Sequence, residues 1–310
     1  MRGRLGLILL AVALSSFGCS QTSLPKSTAL PSKAPGRYSE TLPSDGVTRH
    51  YILRVPRAYD ATRRLPLVVL LHGWTGSAQT FEAYSRMAEK GEKEGFILVT
   101  PDGLGQPQGW NVGFLDLSGK HADDVGFVGH VIDQVETEVG VDPDRVYVAG
   151  FSNGAMLAHL AGARLSDRIA AIGAVAGTVG LPNADGQKAI PAPASPVSAM
   201  LIHGKKDSMV AYDKSASALL AGIGAEESAQ WWAGQDGCAK TPCQTMSANG
   251  NVATETFSGG RLGAEVILVS IANGVHAWPG GLTRPGHEST PDVDAADLLW
   301  QFFKSHPKRR

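Results

Sequence analysis

The chain is short of cysteine, of net charge and of long apolar runs, and each shortage removes a class of protein. Three cysteines in 310 residues, none in a Cys-x-x-Cys pair, supply no ligand set for a metal site. Twenty-eight basic against 29 acidic side chains give a formal net charge of -1. No nucleic-acid-binding surface is implied, and Lys308-Arg309-Arg310 reads as a solvated tail. The apolar stretch at the start, Leu5 to Leu14, has ten positions, against the roughly 20 that a spanning helix needs. No segment repeats.

What stands around that stretch gives it a meaning. Arg2 and Arg4 precede it, and Ser15-Ser16-Phe17-Gly18-Cys19 follows. A positive start, a short apolar core and small residues form an export signal. The cysteine just after suggests a lipoprotein signal, with residues 1–18 removed and Cys19 lipidated as the first mature residue. Plain secretion and an uncleaved anchor are the alternatives. Residues 19–45, rich in Ser, Thr, Pro and Lys, read as a flexible tether. Residues 46–306 are long and apolar enough for one large core, taken to be monomeric. In an exported chain, Cys238 and Cys243 are expected to form a disulfide. The small loop it closes would stabilise by roughly 2 kcal/mol.

From about residue 48, strand-like and helix-like runs alternate. Strands are expected at His50–Val55, Leu67–Leu71, Phe96–Thr100, Arg145–Ala149, Ala170–Val175, Ser198–Ile202 and Glu265–Ile271. Helices are expected at Ala78–Lys90, Val125–Val139, Asn153–Leu165 and Asp292–Phe303. That alternation predicts an α/β fold, a mostly parallel doubly wound sheet with helices on both faces. Such folds place their sites in loops at the carboxyl ends of strands.

One such loop is Gly150-Phe151-Ser152-Asn153-Gly154, between the apolar run Val146–Ala149 and a helical stretch. A serine on a sharp strand-to-helix turn, with small neighbours that let strand and helix close up, is a nucleophile elbow. Serine needs a histidine to take its proton, and the histidine needs a carboxylate. On the α/β-hydrolase fold they follow in the order Ser, Asp or Glu, His. His159 falls inside the helix that Ser152 opens, His203 ends a strand before any acid loop, and His306 lies in the tail. His276, in Asn273–Gly280 just past a long apolar run, is the candidate base, with His287 in reserve. Asp207, in the loop after Ser198–Ile202, is the candidate acid, with Asp213 as fallback.

The oxyanion needs two backbone N–H donors. Asn153 and Trp74 are expected to supply them, Trp74 from the loop His72-Gly73-Trp74 after an early strand. Trp110 and Trp278 are candidates for an aromatic substrate wall. Asp123-Asp124 reads as a helix N-cap rather than a catalytic pair.

Taken together, Leu71-His72-Gly73, Trp110-Asn111, Asp123–Phe127, Asp142–Met156, His203-Gly204 through Asp207 to Tyr212, Gly237-Cys238 and Gly274–Gly280 resemble the secreted poly(3-hydroxybutyrate) depolymerase and feruloyl esterase-like α/β-hydrolases. The resemblance covers residues 46 to 305. It implies a serine esterase that needs no cofactor or metal, with Ser152, Asp207 and His276 as catalytic residues. Its expected substrate is a small or oligomeric ester: short-chain acyl, feruloyl or hydroxyalkanoate. A polymer depolymerase, a peptidase and an inactive surface-binding lipoprotein are the rival readings.

Overall fold

Val, Ile and Leu runs buried on both faces form the middle of one ten-stranded sheet. The computed structural model describes residues 30–180, 190–213, 223–283 and 289–309. In chain order the elements are β1 (Gly36–Ser44), β2 (Val47–Val55), β3 (Leu65–Leu71), α1 (Ala78–Ser85), α2 (Met87–Glu94), β4 (Ile97–Pro101), α3 (Asp124–Glu138), β5 (Val141–Phe151), α4 (Asn153–Arg164), β6 (Ala171–Val175), β7 (Ser198–Gly204), α5 (Ala225–Asp236), β8 (Cys243–Met246), β9 (Val252–Phe257), β10 (Val266–Ile271) and α6 (Ala295–Ser305). The spatial order is β1-β2-β4-β3-β5-β6-β7-β10-β9-β8. The six strands from β4 to β10 pair in parallel, and the two at each edge are antiparallel.

The alternation along β3 builds both layers. Leu67, Val69 and Leu71 join the core under α3, α4 and α5, through Val125, Leu157 and Trp232. Val68 and Leu70 join the core under α1, α2 and α6, through Phe81, Met87 and Leu299. Helices therefore cover both faces, and every parallel strand ends at the same rim. Capping marks the helix starts. Asp123 Oδ1 accepts the Gly126 N–H at 3.0 Å, and Asp294 Oδ1 accepts the Asp297 N–H at 2.9 Å.

Several expectations need correction. The tether ends well before residue 45. β1 pairs along its whole length with β2, and Tyr59 Oη donates to the Pro31 carbonyl. The strand was hidden by Pro43, serines and a polar outer face. The helix expected over residues 78–90 is two helices, broken at Arg86, whose φ is +60°. Edge strands β8 and β9 and helix α5 are additional. β8 is exposed at all four positions, so it carries no apolar alternation to read. The expected Cys238–Cys243 disulfide is absent, and both are free thiols. Cys238 continues the end of α5, its N–H donating to the Ala233 carbonyl and its Sγ facing the Ala264 carbonyl at 3.6 Å, while Cys243 begins the exposed β8. Lys308 is docked rather than free in solvent. Its Nζ donates to the Ile169 and Pro196 carbonyls at 3.2 and 3.3 Å. Cys19 lies outside the described residues.

One buried carboxyl sits under strain at the end of α5. Asp236 Oδ1 accepts the Val197 N–H at 3.0 Å, which anchors the approach to β7, while Oδ2 has no hydrogen-bond partner. Burial pushes this carboxyl up to about 7. The folded state therefore holds a proton that the unfolded chain releases near pH 4. Its contribution to stability is complete below about pH 4 and is lost as pH rises to about 7. Asp236→Asn should flatten the fall in melting temperature across that window and leave the protein more stable than wild type at pH 8. Thermal unfolding at a series of pH values checks this.

Candidate active site

Ser152 lies where β5 passes into α4, at φ +55° and ψ -121°. That is outside the regions open to ordinary L residues, and holding such a residue costs about 1–3 kcal/mol. Two glycines make the turn possible. A Cβ on Gly150 would stand 2.1 Å from the Gly154 carbonyl, and one on Gly154 would stand 2.4 Å from the Leu71 and His72 carbonyls. The Ser152 side chain does not cap α4. It points to His276 instead, whose Nε2 is 2.9 Å from Ser152 Oγ.

His276 and Asp207 arrive on loops after the neighbouring strands β10 and β7. The loops touch directly: a Cβ on Gly204 would meet the Gly274 carbonyl at 2.3 Å, and the Lys206 N–H donates to that same carbonyl at 2.9 Å. His276 Nδ1 stands 2.8 Å from Asp207 Oδ2. An ionised carboxylate only accepts, so Nδ1 carries the hydrogen and Nε2 turns its lone pair to the serine hydroxyl. Asp207 Oδ1 takes the Met209 and Val210 N–H groups at 2.8 and 2.9 Å. Burial works against the charge, but donation from His203 and His276 outweighs it and holds the Asp207 carboxyl well below the usual range. Asp213 stands elsewhere, beside Lys205 and Glu226 on a separate cavity. His287 lies outside the described residues.

The loop His72-Gly73-Trp74, the candidate oxyanion loop, is organised by His72. The Gly103 N–H donates to His72 Nε2 at 2.9 Å, so Nδ1 carries the proton and donates to the Gly73 carbonyl at 2.8 Å. Burial pushes the ring's basicity down, in keeping with that neutral form. A trans peptide opposes its C=O and N–H, so turning the Gly73 carbonyl to His72 turns the Trp74 N–H the other way. The Ser152 carbonyl likewise accepts from Ala155 and Met156 at the start of α4. The Asn153 N–H then points out of the helix N-terminus, where the backbone dipole favours negative charge.

A cavity of about 370 Å³ opens beside Ser152, walled by Trp74, Thr80, Phe81, Tyr84, Phe151 and Met209. Phe81 stacks on Phe151 with centroids 6.1 Å apart, and Tyr84 meets Phe151 edge-on at 6.0 Å. Trp74 is 42% exposed and Met209 37%, so both form a rim. A larger cavity, about 730 Å³, lies across α1, but no Ser, Cys or His lines it.

Trp110 and Trp278 are not part of the wall. Both are fully buried. Trp278 packs edge-on against Phe81 at 5.4 Å, and its N–H donates to Tyr84 Oη at 2.9 Å. Trp110 lies behind the site and ties its two halves together. Its Nε1–H donates to the His72 carbonyl at 2.7 Å, and its N–H donates to Asn153 Oδ1 at 2.8 Å. Asn153 Nδ2 returns a bond to the Trp110 carbonyl at 3.3 Å. The wall residues Phe81, Tyr84 and Met209 escaped sequence reading because no spacing links them to Ser152. The described residues contain no group of three or more His, Cys, Asp or Glu side chains that could hold a metal, and His121 pairs with Asp116.

Trp110→Phe keeps a buried ring but removes the bond to His72. Because the side chain is out of reach of substrate, kcat should fall roughly tenfold with KM nearly unchanged, as expected for loosening of groups used in the transition state. A rise in KM alone would restore Trp110 to the substrate wall. Steady-state ester hydrolysis decides between them.

Comparison with known proteins places the chain in a family. The family described as esterase PHB depolymerase matches residues 49–192. A putative esterase, NocK, of Nocardia uniformis subsp. tsuyamanensis is 30% identical over 281 residues, 83% of this chain and 80% of that protein. Feruloyl esterase B of Piromyces equi is 32% identical over 236 residues, 74% of this chain but 42% of its own length. An acetyl xylan esterase from Aspergillus awamori superposes with a TM-score of 0.61 over 86% of this chain and 99% of its own, at 16% identity, which is a likeness of fold. The chain belongs to the poly(3-hydroxybutyrate) depolymerase and feruloyl esterase-like family of α/β-hydrolases, a family of carboxylic-ester hydrolases.

Proposed function

We propose that this chain hydrolyses small or oligomeric carboxylic esters through an acyl-enzyme on Ser152. The observation that carries the reading is the unbroken line from Ser152 Oγ to His276 Nε2 at 2.9 Å and from His276 Nδ1 to Asp207 Oδ2 at 2.8 Å, at the floor of an open cavity. His276 takes the serine proton as Oγ attacks the ester carbonyl. The Trp74 and Asn153 N–H groups receive the charge that forms on its oxygen. The protonated imidazole passes its proton to the leaving alcohol, and water then repeats the sequence to release the acid. Asp207 stays ionised throughout, orients His276 and stabilises its charge.

Short-chain acyl, feruloyl and hydroxyalkanoate oligomer esters are the proposed substrates. The aromatic wall of Phe81, Tyr84, Phe151 and Trp74 suits an acyl group of modest size, and the names borne by the relatives point the same way. Solid polyester is the second reading, favoured by the description of the matching family. Enzymes acting on insoluble polymer gain from a second surface-binding module, and the described residues form a single sheet with its helices. Export with lipid on Cys19 is proposed for its location, on the signal read at residues 2–19.

Ser152→Ala should cut ester hydrolysis by more than a hundredfold without changing the circular dichroism spectrum. For wild type, kcat/KM should rise with pH to a plateau, because only an unprotonated base can take the serine proton. Asp207 adds no second step in that range, because its depressed carboxyl stays ionised until the medium is strongly acidic. A panel of p-nitrophenyl acetate, methyl ferulate, hydroxybutyrate oligomers and polymer granules assigns the substrate. Fast clearing of granules with little action on the soluble esters would promote the depolymerase. Cys19→Ser should move the protein from the membrane fraction to the soluble fraction.

A further inference from the structure

The acid of the site has a second histidine, which the mechanism does not use. His203, on β7, is fully buried, and its Nε2 faces two oxygens: the Val210 carbonyl at 3.0 Å and Asp207 Oδ2 at 3.3 Å. A ring nitrogen bearing a lone pair would be repelled by both, so His203 Nε2 carries a hydrogen shared between them. Asp207 Oδ2 is therefore divided between His276 and His203, while Oδ1 is occupied by the Met209 and Val210 N–H groups. Val210 joins the two sets, with its N–H on Oδ1 and its carbonyl on His203.

We infer that His203 is a positioning residue that tunes His276 through Asp207, by drawing off part of the Oδ2 charge and fixing the carboxylate's orientation. The inference rests on His276 acting as the base. Removing the His203 donor leaves more negative charge on Oδ2, so the imidazolium of His276 is better stabilised and the acidic limb of the pH profile moves up. The other charged or titratable groups on this cluster are few. Tyr212 meets the His203 ring edge-on at 5.8 Å. Its hydroxyl bonds Glu226 at 3.1 Å and Ser270 at 2.6 Å, and Lys205 Nζ lies 5.0 Å over its ring. His159, in α4, also feels His203. None of these contacts reaches Asp207 Oδ2, so the change at Oδ2 should dominate.

The test is the pH profile of kcat/KM for p-nitrophenyl acetate. His203→Leu should move the acidic limb up by about half a pH unit, a roughly twofold loss of the neutral base at the wild-type midpoint. It should lower kcat with KM little changed. His203→Gln, whose amide can donate in place of Nε2, should return the limb toward its wild-type position. A lowered melting temperature with an unmoved limb would make His203 merely structural and overturn the inference. If His203→Leu does not fold, the wild-type imidazole ¹⁵N–¹H spectrum decides. Protonation of His203 at Nε2 throughout the limb is expected, and an Nδ1–H form overturns the inference. Failure of the underlying reading would look different: Ser152→Ala would stay active while the His203 tautomer held.

Discussion

Everything in the site hangs from the backbone of one residue. Ser152 sits at φ +55° and ψ -121°, where no L residue rests by choice. The hydrogen bonds on each side hold it there, its N–H to the Val175 carbonyl and its carbonyl to the first N–H groups of α4. The strain turns the hydroxyl out of the helix, where it would otherwise cap, and into the line of His276. The same turn frees the Asn153 N–H and packs α4 against the His72 loop. A relaxed Ser152 would lose the line to His276, the outward Asn153 N–H and the helix contact together.

The other constraint is how closely four loops approach. Gly154 touches the Leu71 and His72 carbonyls, and Gly204 touches Gly274. Both contacts are backbone on backbone, so there is no side chain to adjust. Trp110 locks the first pair by bonding His72 and Asn153 at once, and Lys205 and Lys206 lock the second through the Ile271 and Gly274 carbonyls. Geometry at the rim is thus set by peptide groups, which move less than side chains do. The hydrogen bonds at 2.8 and 2.9 Å along the Ser152–His276–Asp207 line are its outcome.

Much of this was legible in the sequence because parallel strands buried on both faces are written as short apolar runs, and the site falls in the loops after them. The runs ending at Leu71, Ala149, Ile202 and Ile271 each lead into a site loop. What was not legible depended on contacts between distant segments. β1 is polar on its outer face, and β8 carries no apolar alternation. Trp110 and Trp278 stand within or near the catalytic motifs, yet tertiary packing buries both. His203 looked like the end of a strand, since only the fold brings Oδ2 of Asp207 to its ring. The cysteines obeyed a compositional argument that the path of the chain after α5 does not support.

Half of the pocket wall has a different origin from the chemistry. The proposed nucleophile, acid and base come from the ends of β5, β7 and β10, as do the wall residues Phe151 and Met209, whereas Thr80, Phe81 and Tyr84 all come from the short helix α1. Such a division lets a lineage alter what it accepts while keeping how it reacts, since drift in α1 leaves the strand ends alone. The freedom is unequal among the three. Tyr84 Oη accepts the N–H of Trp278, two residues beyond His276, so a change there reaches the base as well as the wall. Thr80 and Phe81 carry no such bond to that loop, and they are the positions at which substrate preference can diverge between relatives at the least expense to turnover.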